Sequence, residues 1–177
     1  MLESAARVAI LIEDLFEDVE VASPRGALAA AGARVTLVGP MAGKAYTGNH
    51  GGMFTADLAA AAARADDFDA VVIPGGFAPD KMRLRHAMID LVRECMSAGK
   101  PVAAICRGPS VLINANVLKG RTLTCWPSIA VDVKNAGGRY VDRPVVEDGN
   151  LITSRKPDDL PAFNDALLRQ LAARAAR

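Results

Sequence analysis

Apolar runs of strand length recur along this chain, and polar or helix-forming segments separate them. Each run is almost continuously apolar, which is typical of strands that are buried on both faces of a parallel sheet. The four runs are residues 7–12, 34–39, 68–73 and 101–105. Because helical segments lie between the strands, the pattern predicts an α/β fold with right-handed crossovers and helices on both faces of the sheet.

The remaining segments fill in the pattern around these strands. Apolar residues at helical spacing predict a helix over 80–98, with Cys95 facing the core, and a second helix after residue 160. Glycine-rich turns predict a hairpin over 44–55 and a small β-ribbon between residues 140 and 153. The alanine-rich stretch at 58–65 predicts a short helix or a helical loop.

Composition narrows the class of protein. A chain of 177 residues with 51% hydrophobic and 23% charged residues predicts one globular domain over 1–177. A net charge of +1 gives no reason to expect nucleic acid or a membrane surface as partner, and no stretch approaches a membrane span. The first apolar run is too short for a signal peptide, and three cysteines without metal-type spacing favour a reducing compartment, so we expect a cytoplasmic protein. The P-loop and the dinucleotide-binding glycine motif are absent from the sequence, and we expect neither cofactor nor metal.

The most informative stretch is the apolar run that ends in Cys106-Arg107-Gly108-Pro109. The sequence predicts that a strand stops here and a helix starts, because Gly108 and Pro109 precede an apolar helical segment. A cysteine at such a turn lies at the carboxyl edge of the sheet, where open α/β proteins keep their sites. The helix N-terminus would also favour the thiolate and lower the pKa of Cys106. The alternative is a buried core cysteine, but the strand-to-helix switch favours a nucleophile elbow.

Several short motifs, in the same order along almost the whole chain, resemble the ThiJ/PfpI superfamily, whose name-giving member is an archaeal intracellular protease. The similarity includes Ile105-Cys106 with Gly108-Pro109, and Pro74-Gly75-Gly76 with Ala78-Pro79. The other matching stretches are 16–20, 47–51, 126–129, 135–137 and 148–155.

The resemblance implies a flavodoxin-like three-layer sandwich, of the kind shared with class I glutamine amidotransferases, with a mostly parallel central sheet and Cys106 at a strained elbow. It also implies that a glutamate from the first strand-to-helix turn touches the sulfur, and that position is Glu17 here. The implied oxyanion donors are the backbone N–H groups of Gly76 and of residue 107. Trp126 is predicted to line the pocket.

Residue 107 departs from the protease-like members, which resemble this chain but carry Cys-His-Gly. Arg107 is permanently protonated and cannot act as a general base, although it can stabilise a thiolate or attract an anionic or carbonyl substrate. The family's acidic partner position falls at Asp80, which could pair with Arg107 across a subunit interface. His50 is the remaining candidate for a base, or else a residue of the rim, whereas His86 is expected at the surface.

Three functions follow from these residues and from the resemblance. The first is a cysteine-dependent, stress-protective hydrolase or lyase that acts on reactive carbonyls or glycated amino groups, as a glyoxalase or deglycase. The second is an intracellular cysteine peptidase, which the loss of the adjacent histidine disfavours. The third is a redox sensor in which Cys106 is oxidised and Cys125 is a resolving thiol. The resemblance also implies a homodimer or a dimer-built hexamer.

Overall fold

The computed structural model describes residues 1–2 and 5–177, and its centre is a seven-stranded sheet. Every strand pair in this sheet is parallel except one antiparallel pair at an edge. The strands, in chain order, are β1 (Arg7–Leu11), β2 (Arg34–Gly39), β3 (Ala45–Thr47), β4 (Met53–Thr55), β5 (Leu58–Ala59), β6 (Ala70–Ile73), β7 (Val102–Ile105), β8 (Thr122–Leu123), β9 (Arg139–Tyr140), β10 (Val145–Asp148) and β11 (Leu151–Ser154).

The order of strands across the large sheet is β10-β11-β7-β6-β1-β2-β5. From β1 the chain moves outward through β2 to β5, and it then returns to place β6 on the other side of β1. The strand order therefore reverses between β1 and β6. In open α/β sheets this switch point leaves a crevice at the carboxyl ends of the strands, which is where ligands bind.

Helices pack around the sheet and cover its apolar strands. They are α1 (Asp18–Ala30), α2 (Ala78–Met82), α3 (His86–Ser97), α4 (Pro109–Asn114), α5 (Ala130–Asn135) and α6 (Leu160–Ala175). The helices α1 and α6 pack against each other, and α3 packs against α4 and the two central strands β6 and β7. All residues of β6 and β7 are buried, as the continuous apolar runs predict. The flavodoxin-like α/β sandwich expected from the sequence is confirmed.

Three local predictions need correction. Residues 58–65 begin as a strand, because Leu58–Ala59 pairs with the edge of β2, and the expected helical loop is reduced to 3₁₀ turns at Ala60–Ala62 and Ala65–Asp67. The helix predicted over 80–98 is two helices, since the backbone of Arg85 is extended between them. The predicted ribbon also divides, because β10 and β11 form an antiparallel pair whereas β9 runs parallel to β8. The hairpin formed by β3 and β4 is confirmed.

Within residues 1–2 and 5–177, no helix combines the length and the apolar character that a membrane span requires.

Candidate active site

The candidate site lies where three strands end beside one another, at the switch point of the sheet. The chain leaves β1 toward Glu17, leaves β6 at Gly75 and leaves β7 at Cys106. Backbone contacts fasten these exits together, because Glu17 donates its N–H to the Gly75 carbonyl at 3.2 Å and Phe16 forms an isolated bridge with Gly76. Side chains from three separate parts of the sequence therefore meet in one crevice.

Cys106 occupies the sharp turn that the sequence predicts. Its φ angle is 62°, in the left-handed region that L-residues avoid, and such a conformation costs about 1–3 kcal/mol. The turn holds because Cys106 donates its N–H to the Ser154 carbonyl and accepts the Trp126 N–H at 2.8 Å. The side chain is 7% exposed, so the sulfur lies at the bottom of the crevice rather than on the surface.

Backbone N–H groups converge on this sulfur. The N–H groups of Gly76 and Arg107 hydrogen-bond Cys106, and they are the two donors that the resemblance implies for an oxyanion hole. Gly76 reaches this position with a φ of 76°, and a side chain here would collide with the backbone of Leu15 and Glu17. Glycine at position 76 therefore allows the loop after β6 to approach the sulfur closely.

The glutamate beside the sulfur is Glu20, not Glu17. Glu20 is fully buried in the first turn of α1, accepts the Gly75 N–H on Oε1 at 2.8 Å, and lies close enough to Cys106 for each group to shift the pKa of the other. Its Oε2 has no hydrogen-bond partner in the part of the chain that the structure describes. The prediction for Glu17 is wrong by one helical turn, because only the residue three positions later turns toward the sheet.

Glu20 and Cys106 are two neighbouring acids, and each affects the pKa of the other. Burial raises the pKa of Glu20 to about 8, and the nearby charge of Glu17 adds to this effect. Burial also raises the pKa of Cys106, and so does the charge of Glu20, against the opposing effects of the two N–H groups and the Arg107 guanidinium. The expectation from the sequence that the pKa of the Cys106 thiol is lowered is therefore wrong.

Glu17 makes a different contact, at the rim of the crevice. Its Oε1 lies 2.9 Å from Nε2 of His50, whose side chain is 70% exposed. Asp18 holds the loop that carries His50 in place, because its carboxylate accepts the N–H groups of His50 and Gly52. The structure thus places His50 at the rim beside Glu17, and its role as a general base stays a prediction. His86 is exposed, as expected.

Arg107 and Trp126 lie side by side next to the elbow. The guanidinium carbon of Arg107 is 4.6 Å from the centre of the Phe77 ring and 5.8 Å from that of Trp126. Asp80 lines the same cleft as Arg107, but within residues 1–2 and 5–177 no ion pair joins the two. A pair between subunits stays a prediction, as does the oligomer itself.

The other two cysteines are fully buried and free. Cys95 faces the core from α3, as its helical spacing predicts, and burial raises its pKa to about 11. Cys125 lies close to Cys106, and the pKa of Cys125 is raised by burial and by the charge of Cys106. Among the residues that the structure describes, it is Cys106 that has two backbone N–H groups and a fully buried glutamate around its thiol.

One signal in the sequence could have found Glu20. Glu20, Pro24 and Leu28 are spaced by four residues, and all three are buried on the face of α1 that contacts the sheet. A carboxylate in an inward-facing helical stripe is expensive to bury unless it has a function or a partner. Phe77, which supports Arg107, carries no comparable signal, because it is 55% exposed and follows a glycine-rich turn.

The fold and the site together define a class: a flavodoxin-like α/β protein with a cysteine elbow and a buried glutamate beside the sulfur. The DJ-1/PfpI family model matches residues 6–170, and the chain belongs to this family. The ThiJ/PfpI resemblance read from the sequence motifs is thereby confirmed.

Curated relatives are similar over nearly their whole length. The chain is 44% identical over 165 residues to the "Putative cysteine protease YraA" of Bacillus subtilis, covering 93% of this chain and 98% of that protein. It is also 44% identical over 169 residues to "Protein/nucleic acid deglycase 2" of Escherichia coli, covering 94% and 98%.

Solved structures show the same fold. A two-domain protein of Anabaena variabilis, with DJ-1/ThiJ/PfpI-like and ferritin-like domains, has a TM-score of 0.93 and 46% identity. The match covers 94% of this chain but spans only 48% of that two-domain protein. Drosophila melanogaster DJ-1beta has a TM-score of 0.88 and 31% identity, covering 97% of this chain and 94% of the other.

Proposed function

We propose that this protein is a cysteine-dependent hydrolase or lyase that acts on reactive carbonyl compounds and on glycated amino groups. The observation that carries the proposal is the Cys106–Glu20 pair, which sits beneath two backbone N–H donors at the switch point of the sheet. Such a site provides a nucleophile, a proton carrier and a place for a negative oxygen. The deglycase named among the relatives supports this reaction class.

In the proposed reaction, addition to an aldehyde uses each of these groups once. The sulfur of Cys106 bonds to the carbonyl carbon, and its proton moves to the Glu20 carboxylate. The electron pair of the C=O double bond moves to oxygen, where the N–H groups of Gly76 and Arg107 stabilise the charge. Glu20 then returns the proton to that oxygen, which gives a neutral hemithioacetal. Because Glu20 both accepts the thiol proton and returns it to the oxygen, the first step needs no histidine next to the cysteine.

An α-oxoaldehyde such as methylglyoxal can continue from this intermediate without an external oxidant. The former aldehyde carbon is oxidised to a thioester while the neighbouring ketone carbon is reduced to an alcohol, through proton transfer by way of an enediol. Water then cleaves the thioester, so that methylglyoxal and water become lactate and a proton. For a glycated amino group, the sulfur would bond to the hemiaminal carbon while the bond from that carbon to nitrogen breaks. Glu20 would pass the thiol proton to the nitrogen, which leaves as the free amine, and the product is the same hemithioacetal.

The test is the conversion of methylglyoxal to lactate by the purified protein, followed by proton NMR. We expect lactate formation that stops when iodoacetamide has alkylated Cys106, with the modified residue identified by peptide mass spectrometry. A Cys95→Ser variant is the matched control and should keep the wild-type rate, because Cys95 lies in the core. The proposal fails if no lactate forms, or if alkylation of Cys106 leaves the rate unchanged.

A cysteine peptidase is the alternative that another relative's name suggests. Peptide cleavage requires protonation of a poor amine leaving group, a task that general acid catalysis accelerates by about 10²–10⁴-fold. Arg107 cannot do this, and His50 is paired with Glu17 at the rim, so the task would fall to the same Glu20 that takes the thiol proton. These features favour carbonyl chemistry over peptide hydrolysis at this site.

A redox role is a second candidate, favoured by the position of Cys125. Trp126 donates its N–H to the Cys106 carbonyl at 2.8 Å. Cys125 precedes Trp126 in the chain and therefore lies beside Cys106. Peroxide would oxidise the Cys106 sulfur to a sulfenic acid and be reduced to water. Condensation with the Cys125 thiol would then form a disulfide and release a second water.

Mass spectrometry after mild peroxide treatment tests this candidate. We expect a peptide cross-linked between Cys106 and Cys125, with Cys95 still reduced. A Cys125→Ser variant should instead stop at sulfenic or sulfinic acid on Cys106. Oxidation of Cys95 or Cys125 in preference to Cys106 would contradict the redox role.

A further inference from the structure

Arg107 is held in a fixed orientation by the residues around it. Its guanidinium lies over the Phe77 ring at 4.6 Å and near the Trp126 ring at 5.8 Å, and Nη1 donates weakly to the Gly76 carbonyl at 3.4 Å. Stacking on aromatic faces fixes the plane of a guanidinium while leaving its edge open to a ligand. The side chain is therefore positioned before any ligand arrives.

This guanidinium has no carboxylate partner in the part of the chain that the structure describes. The half-buried Arg155, in contrast, pairs with Asp142 and Asp159. Arg107 instead lines a cleft of about 470 Å³ together with Lys81, Arg83 and a single carboxylate, that of Asp80. Three cationic side chains against one carboxylate make the cleft attractive to an anion.

The cleft adjoins the Cys106 elbow, although Cys106 itself is not among its lining residues. Its lining includes Gly76 and Ser110, which belong to the loop and the helix on either side of Cys106. The charge of Arg107 also acts on both Cys106 and Glu20, so that the guanidinium is within electrostatic reach of the reacting atoms. Another cleft, of about 480 Å³, lies near Gly99 and Asn150 at the amino ends of the strands and is remote from this chemistry.

We propose that Arg107 is a specificity residue that recognises a carboxylate, so that the site selects carbonyl compounds bearing a carboxylate a few atoms from the reacting carbon. A planar guanidinium binds a carboxylate through two parallel hydrogen bonds, and it attracts the anion during approach as well. The carbonyl part of this inference rests on the proposed function. The recognition of an anion at Arg107 does not, and it can be tested separately.

The first experiment compares two reagents that alkylate Cys106, the anion iodoacetate and the neutral iodoacetamide. Each rate is measured by peptide mass spectrometry and divided by the rate with free glutathione, which removes the difference in intrinsic reactivity. We expect wild-type protein to favour iodoacetate by about tenfold, in the range that one charge at close approach provides. Arg107→Gln should abolish this preference, and Arg107→Lys should retain part of it, because charge without the planar fork remains.

The matched control is Arg34→Gln, which removes the same charge from an exposed position at the amino end of β2, the opposite edge of the sheet. This variant should keep the wild-type preference for iodoacetate. The proposal is overturned if Arg107→Gln slows both reagents equally, since Arg107 would then act only on the sulfur. It is also overturned if Arg34→Gln reduces the preference as much, since net charge alone would then explain it.

The second experiment extends the comparison to turnover with two five-carbon α-oxoaldehydes, 4,5-dioxopentanoate and 2-oxopentanal. They differ only in a terminal carboxylate or methyl group. We expect kcat/KM to favour the carboxylate in the wild type and this ratio to fall about tenfold in Arg107→Gln, as expected for loss of one charge-assisted contact. Turnover of both compounds at equal rates would refute the selection. If neither compound is consumed, the proposed function fails, whereas the alkylation ratio still decides whether Arg107 recognises an anion.

Discussion

Replacing Glu20 by glutamine is expected to reduce turnover of an α-oxoaldehyde by about 10²–10⁴-fold, the usual contribution of general acid–base catalysis. Glutamine keeps the size of the side chain and can still accept the Gly75 N–H, but it cannot carry a proton between sulfur and oxygen. The rate of the wild type should rise with pH near the raised pKa of Glu20, about 8, because the active pair holds one proton. In Glu20→Gln this step in the pH profile should disappear.

Glu17→Gln is the matched control for this prediction. It removes the same charge one helical turn away, where the carboxylate contacts His50 at the rim rather than Cys106. We expect turnover to change by less than about fivefold, which corresponds to about 1 kcal/mol. A larger loss in Glu17→Gln than in Glu20→Gln would show that the assignment of the acid to Glu20 is wrong.

The loss in Glu20→Gln can be separated from unfolding by its pH dependence. Because the pKa of Glu20 is higher in the folded than in the unfolded chain, the folded protein binds the proton more tightly and loses stability as pH rises from about 4.5 to about 8. Glutamine does not ionise, so the variant should be at least as stable as the wild type at pH 8. Denaturant unfolding at pH 5 and pH 8 measures this difference.

The sequence predicted the central sheet well because continuous apolar runs have a simple physical meaning. The strands β6 and β7 are buried throughout and β1 after its first residue, and strands buried on both faces disfavour polar residues on either side. The edges were harder to predict. The strand β5 is only two residues long and half-buried, so its alanine-rich sequence carries helix propensity and almost no burial signal.

The elbow was also predictable, whereas its electrostatics were not. Cysteine between an apolar strand and Gly-Pro indicates the turn, and the φ angle of 62° agrees. The pKa depends on distances to groups that are remote in the sequence, and here the buried Glu20 and the loss of water outweigh the N–H donors. A helix N-terminus adjacent in sequence is therefore insufficient to predict a low thiol pKa.

The sequence and the structure give different information about residue 107. The sequence shows that arginine cannot act as the family's histidine does, and that it can stabilise a thiolate or attract an anionic substrate, but not how it is oriented. The structure shows what the arginine gains, because Phe77 and Trp126 orient it toward a cleft in which cationic side chains outnumber carboxylates. In the two proposals, the Cys106–Glu20 pair would supply the chemistry and Arg107 would select the substrate.

Two glycine-to-alanine substitutions should change stability in opposite directions. At Gly108, directly after the elbow, an added methyl group would lie 2.5 Å from the Ile73 carbonyl oxygen and 2.8 Å from that of Ile105. These atoms belong to the backbone of the two central strands and cannot move away. We therefore expect the free energy of unfolding to fall by about 3 kcal/mol, at the upper end of the usual cost of overpacking a core. The same collision would displace the Cys106 turn, and activity should fall with stability.

Gly26 is the matched site, in the interior of α1 and exposed, where nothing lies within 4 Å of an added methyl group. Alanine there should stabilise the protein by about 0.5–1 kcal/mol, because glycine loses more backbone entropy in a helix. Urea unfolding of both variants gives the two values, provided that the slope of the transition is unchanged. If the Gly108→Ala variant were as stable as the wild type, the strand-to-helix turn would have room for an added methyl group. Close packing against the backbone of β6 and β7 would then not be what holds the Cys106 elbow in its strained conformation.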